Sequence, residues 1–148
     1  MENTFRPSRF LSLRATTPSP CTWEEIVQEL TGERHTAATA LFRALAACEG
    51  QDAETAKRQQ GQIKQNQPAF IPSVLLEGGR SSKHIKGYPG AIMVDIDGIP
   101  EAIFDEALER VKADPHSFLV YKTLSGRGIR VIAWMEGNVT AENFPARR

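Results

Sequence analysis

The sequence predicts an α+β domain with a mostly antiparallel sheet and helices packed on one face, and three observations carry that expectation. The run Ala91-Ile92-Met93-Val94-Asp95-Ile96-Asp97 has the composition of a strand and leads, after Pro100, into a segment of helical period. Two further β-rich runs, Ser117 to Leu124 and Ile129 to Met135, are joined by Ser125-Gly126-Arg127-Gly128, as in a hairpin. Upstream, two stretches with apolar residues at helical spacing begin or end on capping signals. With 148 residues and 41% hydrophobic content the chain suffices for one core, so residues 1–148 are read as a single domain. Within its sheet the aspartate-bearing strand is expected at the centre, because it is apolar on both sides of its acidic pair.

In chain order, residues 1–20 are poorly defined. Phe5, Phe10, Leu11 and Leu13 lie among Arg6, Arg9 and Arg14, as in one strand packed by its aromatic residues, and the run Thr16 to Pro20 ends it. Thr22-Trp23-Glu24-Glu25 has the form of a capping box, followed by Ile26, Val27 and Leu30 on the face of Trp23, with Gly32 as a stop. A second helix spans about Thr36 to Cys48, with Ala38, Leu41, Phe42 and Leu45 on one face. From Ala53 to Gln67 the chain is polar, with Gly61 lowering its helix propensity, and reads as an exposed helix or a mobile segment. Ala69 to Leu76, broken by Pro72, is an edge strand or a bulged one. Glu77 to Lys83 is a flexible basic loop. The helix after Pro100 carries Ile103, Phe104, Ala107, Leu108 and Val111, and ends before Asp114-Pro115. Its length suits a crossover, so the strands flanking it are expected to be neighbours. After Met135 come a few polar residues, Pro145 and Arg147-Arg148.

Charge balances globally, with 18 basic and 18 acidic residues, which makes no case for nucleic acid by itself. The distribution is uneven: between Ala56 and Gly90, Lys57, Arg58, Lys64, Arg80, Lys83 and Lys86 stand against Glu77 alone. That local field suits a polyanion, and a solvated surface explains it equally well. Cys21 and Cys48 have neither metal-ligand nor disulfide-framework spacing and read as small, mostly buried thiols in a reducing compartment. The short apolar runs and the N-terminal residues Met1 to Thr4 give no membrane span or signal peptide, so the expectation is a soluble, cytoplasmic protein.

Asp95 and Asp97 project to one face of their strand, and Val94 and Ile96 to the other. Two carboxylates that close repel unless a cation lies between them, and Mg2+ or Mn2+ prefers such oxygens. Both aspartates are therefore candidate metal ligands. In Ser125-Gly126-Arg127-Gly128-Ile129-Arg130 the glycines let amides approach an anion, Ser125 offers a hydroxyl, and Arg127 and Arg130 offer forked donors that match phosphate. The turn alone reads equally as a hairpin that uses glycine for positive φ. Together, the acidic pair and the turn are more specific than either. Lys57, Arg58 and Lys64 could follow a phosphate backbone, joined by Arg80 and Lys83 in the loop. His35 and His116 read as boundary residues, and His84 as a solvated loop histidine.

The order strand with Asp-x-Asp, helix, strand, Ser-Gly-x-Gly turn and strand resembles the catalytic core of the archaeo-eukaryotic primase superfamily. Within it, the chain is most similar to the VirE N-terminal domain family of mobile elements. The resemblance covers roughly Trp23 to Met135 and extends to Lys64-Gln65-Asn66-Gln67-Pro68-Ala69-Phe70 and Ala113-Asp114-Pro115-His116. It implies an RRM-like sheet, and a primase-polymerase reaction in which two metal ions drive nucleotidyl transfer. It further implies that Asp95 and Asp97 are catalytic metal ligands, and that Ser125, Gly126, Arg127, Gly128 and Arg130 contact a nucleoside triphosphate. Single-stranded nucleic acid and a helicase-type protein of the same element are the implied partners. Two positions depart from the pattern. Arg130 stands where primases usually carry His, and the third metal-binding carboxylate belongs on a later strand, so the domain is expected to be incomplete at its C-terminus. Glu136 and Glu142 stand in for that carboxylate by default.

Two other classes compete. Ile92-Met93-Val94-Asp95-Ile96-Asp97-Gly98 also looks like the first motif of haloacid-dehalogenase-type phosphatases, although Ile99 departs from that pattern and no later lysine and acidic pair completes it. Alternatively the chain is a non-catalytic remnant that binds nucleic acid or a partner protein. G-x-x-x-x-G-K-[ST] is absent, which excludes a P-loop ATPase within this sequence.

Overall fold

The computed structural model describes residues 6–137 and 139–142; Phe5 of the expected first strand and the C-terminal Pro145, Arg147 and Arg148 lie outside them. The fold is mixed α+β, and every strand pairing among the described residues is antiparallel. The N-terminal segment forms two short strands, β1 (Ser8–Phe10) and β2 (Ser19–Pro20), where the sequence suggested one. Three helices follow. In α1 (Trp23–Thr31) the Thr22 hydroxyl accepts from the Glu25 amide, the Glu25 carboxylate accepts from the Thr22 amide, and Gly32 closes the helix. Helix α2 (Thr36–Ala46) buries none of its residues, and Leu41 is 53% exposed, so its expected apolar face is only partly covered. The polar segment is helix α3 (Ala53–Asn66), despite Gly61. Packing decides between the two readings the sequence left open: Ala56 is buried, and the Gln60 side chain donates to the Phe42 carbonyl of α2 at 2.9 Å.

Strand β3 (Ala69–Ile71) pairs with β1 at the edge of a three-stranded sheet, and β4 (Leu75–Leu76) pairs with β5 (Ile85–Gly87) across a bulge. Buried Ser8 ties the two sheets together. Its hydroxyl donates to the Val74 carbonyl at 3.0 Å and accepts from the Leu76 amide at 2.7 Å. The third sheet contains β6 (Ala91–Ile96), β7 (Ser117–Lys122) and β8 (Ile129–Trp134), with α4 (Phe104–Ala113) between β6 and β7 in sequence.

Its strand order, β6-β8-β7, corrects two expectations. The strands flanking α4 are not neighbours, because β8 lies between them. Since both are antiparallel to β8, they run parallel to each other, which is the split β-α-β unit from which ferredoxin-like and RRM-like sheets are built. The central strand is therefore β8, and β6 stands at the edge of this sheet. Burial explains the order: Ile129 and Ile132 of β8 are fully buried, whereas Val94 of β6 is 37% exposed. Apolar flanks around Asp95 made β6 look two-sided, yet its outer face meets solvent.

Helix α4 covers one face of this sheet, packing Phe104 on Ile129 and Val131, with Ile96, Leu108 and Val120 around them. The other face meets the N-terminal half through aromatic rings. Trp23 lies 5.1 Å from Phe118 and 6.0 Å from Trp134, and Phe70 lies 6.3 Å from Tyr121. The register shift between Ser117 and Leu119 is a bulge at Phe118, whose ring sits 4.8 Å from that of Trp134 on this side. Each such pair adds about 0.5–1.5 kcal/mol beyond its buried area. Cys21 is buried, as expected, and burial pushes its thiol up to about 11; Cys48 is exposed just past α2, contrary to expectation, because α2 itself is uncovered there. No helix among the described residues is long and apolar enough to cross a membrane.

Ser8→Ala should lower unfolding free energy by about 2 kcal/mol, because it orphans the buried Leu76 amide along with the Val74 carbonyl. Urea denaturation measures this, and a loss below about 0.5 kcal/mol would show that the hydroxyl is not what joins the two sheets.

Candidate functional site

The alternation expected for β6 holds: Ile96 points into the α4 core, and Asp95 points to the opposite face. There the register places Arg130 of β8 between Asp95 of β6 and Tyr121 of β7, in one row across the sheet. Arg130 does not stand free. Its guanidinium donates to both Asp95 oxygens, at 2.5 and 3.0 Å, with the side chains 34% and 41% exposed. The Asp95 carboxylate raises the guanidinium above its already high range, so the arginine is permanently charged. Burial raises the Tyr121 hydroxyl, and the Arg130 charge only partly offsets it.

This row floors a cleft of about 720 Å³ between the sheet and the N-terminal helices. Asp97, just past β6, also lines it, as do Ser125 and Lys64. Asp97 has no hydrogen-bond or ion-pair partner among the described residues. Its place depends on Gly128, where a Cβ would stand 2.7 Å from Asp97 Oδ1, 2.9 Å from Thr123 Oγ1 and 3.0 Å from the Ile96 carbonyl. That glycine is needed for space. Gly126 is needed for backbone, with φ of +75°.

The turn divides the residues that the sequence grouped. Ser125 and Arg130 face the cleft with the aspartates, whereas Gly126 and Arg127 line a second, adjacent cavity of about 630 Å³ with Glu101, Phe104 and Asp105. Lys122 borders both, its ammonium 5.0 Å above the Phe104 ring. Two turn amides are committed within the turn: Gly126 N–H donates to the Thr123 carbonyl at 2.9 Å, and Arg127 N–H to Ser125 Oγ at 3.3 Å. Of the basic residues between Ala56 and Gly90, Lys64 reaches the cleft, while Lys57 and Arg58 are exposed on α3 and Lys83 is exposed in the loop. Arg80 serves the fold, stacking 4.6 Å over Phe10 and donating to the Leu13 and Ala15 carbonyls. The loop around it is closed rather than open, since Glu77 N–H donates to the His84 carbonyl and His84 Nδ1 lies 2.8 Å from Ser81 Oγ.

Among the cleft residues not singled out from the sequence for the site, three bear most on its geometry. Arg43 of α2 donates to the Leu124 and Thr123 carbonyls at 3.1 and 3.4 Å, clasping the turn from 80 residues away. Glu29 of α1 also lines the cleft, bound by Arg9 at 2.9 Å and by His35 at 3.0 Å, so His35 is a hydrogen-bond partner of Glu29 rather than a plain boundary residue. Burial works to raise the Glu29 carboxyl, but hydrogen bonds from His35 and Arg9 outweigh it and hold the group below the ordinary range. Tyr121 completes the three. None carries a local signal, because each is brought in by tertiary packing.

For a metal ion, the fit is partial. Asp97 is open and Asp95 lies on the same face, which suits one hard cation with water completing its shell. No group of three metal-ligating side chains exists among the described residues. Glu136 lies past the far end of β8, 92% exposed and 3.8 Å from His116, and so does not join the pair; Glu142 is exposed and does not line the cleft. Engagement of Asp95 by Arg130 also removes the free carboxylate nucleophile that a dehalogenase-type phosphatase needs.

The family model described as BT4734-like, N-terminal domain, matches residues 62–146, more than half of the chain. The matched span runs from the second half of α3 through β8 and contains Asp95, Asp97 and the turn, while Glu29, His35 and Arg43 precede it. No curated protein and no solved structure matches the chain.

Gly128→Ala should cost about 1–3 kcal/mol, since its methyl would crowd the Ile96 carbonyl of the strand backbone and the short Thr123 side chain, and it should displace Asp97. Thermal unfolding decides, with an unchanged midpoint counting against the close approach. At Glu29 the lowered pKa sets the sign: its contribution is complete above the ordinary value of 4.5 and is lost as pH falls through the lower folded value. Glu29→Gln should therefore be less stable than wild type at pH 7, by about 1 kcal/mol, with the gap closing toward pH 3. A gap that widens in acid would reverse the assignment.

Proposed function

The chain belongs to the BT4734-like N-terminal domain family, and from that premise we propose that it is a primase-like, nucleotide- and nucleic-acid-binding domain of a mobile-element replication protein, akin to VirE-type domains. The observation that carries the reading is the cleft in which Asp95, Asp97, Ser125 and Arg130 converge on one sheet face, with Lys64 at its wall. A triphosphate needs a forked cation for its oxygens and a hard metal for its charge, and Arg130 and the two aspartates are the groups of that chemistry. Asp95 and Asp97 would hold one Mg2+ or Mn2+, which when bound supplies charge neutralisation for the phosphates. A single strand would continue from the cleft past Lys64 toward Lys57 and Arg58 on exposed α3. Ser125 and Arg130 would contact the triphosphate directly, and Arg127, on the neighbouring cavity, would act at longer range.

Geometry favours binding over turnover. Two-metal nucleotidyl transfer needs ligands that activate an attacking hydroxyl as well as ligands that hold the triphosphate. Asp95 and Asp97 serve one ion, and Glu29, the further carboxylate in the cleft, is already held by Arg9 and His35. Fewer carboxylates in contact with the metal reduce rate more than affinity, because the attacking oxygen is stabilised only in the transition state.

Fluorescence titration with a nucleoside triphosphate and Mn2+ should show affinity falling roughly tenfold or more for Arg130→Ala and less for Arg127→Ala. Primer synthesis on a single-stranded template should be undetectable with this chain. Binding indifferent to Arg130 would remove the phosphate assignment, and robust synthesis would refute the binding-over-turnover reading.

A further inference from the structure

We propose that the Asp95–Arg130 ion pair makes the cleft selective for a metal–polyphosphate complex over either a free divalent cation or a metal-free anion. This rests on the nucleotide-binding reading above and adds a rule to it. The two groups best suited to the two halves of such a ligand are spent on each other: the guanidinium fork covers both Asp95 oxygens, at 2.5 and 3.0 Å. A cation arriving alone can meet the open Asp97, but to be held by both aspartates it must strip Asp95 from Arg130 and leave that arginine uncompensated. An anion arriving alone must strip Arg130 and leave Asp95 uncompensated beside Asp97. A metal–polyphosphate complex does neither, because the ion takes the carboxylate while the phosphate takes the guanidinium, and every charge ends paired.

Apart from the single open carboxylate of Asp97, nothing else within the cleft takes over either role. Glu29 is held by Arg9 and His35, and Arg43 is held by the Leu124 and Thr123 carbonyls. Lys122 and Lys64 supply point charges without a fork, and the Lys122 ammonium sits over Phe104. Both partners of the pair are about one-third exposed or more, so the exchange happens at a wet surface and its magnitude is modest. Linkage makes the effect reciprocal: whatever factor the metal adds to polyphosphate affinity, the polyphosphate adds to metal affinity.

Two single variants separate the halves, each with an outcome opposite to simple loss of a ligand. Arg130→Gln frees Asp95, so Mn2+ alone, followed by water-proton relaxation, should bind on the order of fivefold more tightly than to wild type. Asp95→Asn frees Arg130, so a fluorescent non-hydrolysable triphosphate in EDTA should bind tighter by a similar factor. The double variant Asp95→Asn with Arg130→Gln should show neither gain, and circular dichroism should find all three folded. If wild type binds the Mn2+–triphosphate complex but neither single variant gains affinity for its free ligand, the exchange is overturned and the nucleotide-binding reading stands. If wild type binds no triphosphate even with Mn2+, both fall together.

Discussion

Strand β8 is paired along both edges, and the two-residue period of its side chains gives it two unlike faces. Ile129 and Val131 go to Phe104 and the α4 core; Arg130, Ile132 and Trp134 go to the opposite side. A slip of one residue would turn Arg130 into that core and bring Val131 out over Asp95, so the register is fixed by hydrophobic burial rather than by the polar groups it aligns. Asp95, Arg130 and Tyr121 meet as a by-product of that constraint. Chemistry on one face is positioned by packing on the other.

The second wall of the cleft depends on the same sheet face. Beyond Arg130 the even-numbered residues of β8 become aromatic and apolar, and Trp23 docks there on Trp134 while Phe70 packs on Trp23 and on Tyr121 of β7, which seats α1 and β3 against the sheet. Docking brings three carboxylates, Glu29, Asp95 and Asp97, to one cavity, an arrangement that repels itself unless it is compensated. Arg9 compensates Glu29, which also has a hydrogen bond to His35, and Arg130 compensates Asp95. Asp97 alone keeps its charge open to the cavity. Arg43 then ties α2 to the turn that carries Ser125, so that the helical half and the hairpin are joined at the cleft rim as well as at its aromatic floor.

Local signals were legible and long-range ones were not. The capping box at Thr22, the stop at Gly32, the helix after Pro100 and the hairpin around Ser125-Gly126-Arg127-Gly128 are set by residues within a few positions of one another, and the structure keeps all of them. Side-chain alternation also placed Asp95 and Ile96 on opposite faces. Strand order was misread because β6 and β8 are similarly apolar, and only the depth to which Ile129 and Ile132 are buried separates them. The role of Arg43, and the pairing of Arg130 with Asp95 across 35 positions, exist only once the chain has folded, and no spacing rule connects such residues. Arg80 shows the converse: its charge was conspicuous in the sequence, yet its surroundings, the Phe10 ring and two carbonyls, give it structural work.

The unequal surroundings of the two thiols have a practical consequence. Cys21 is buried, accepts no easy deprotonation with its thiol pushed up to about 11, and donates to the Pro7 carbonyl, whereas Cys48 is exposed two residues beyond α2. Because the thiolate is the reactive species, a maleimide or spin label added to the native protein will attach at Cys48 and spare Cys21. The natural sequence thus already offers a single attachment point just beyond the helix that clasps the turn, and a dye placed there would report movement of the cleft's helical wall without any cysteine having to be added or removed.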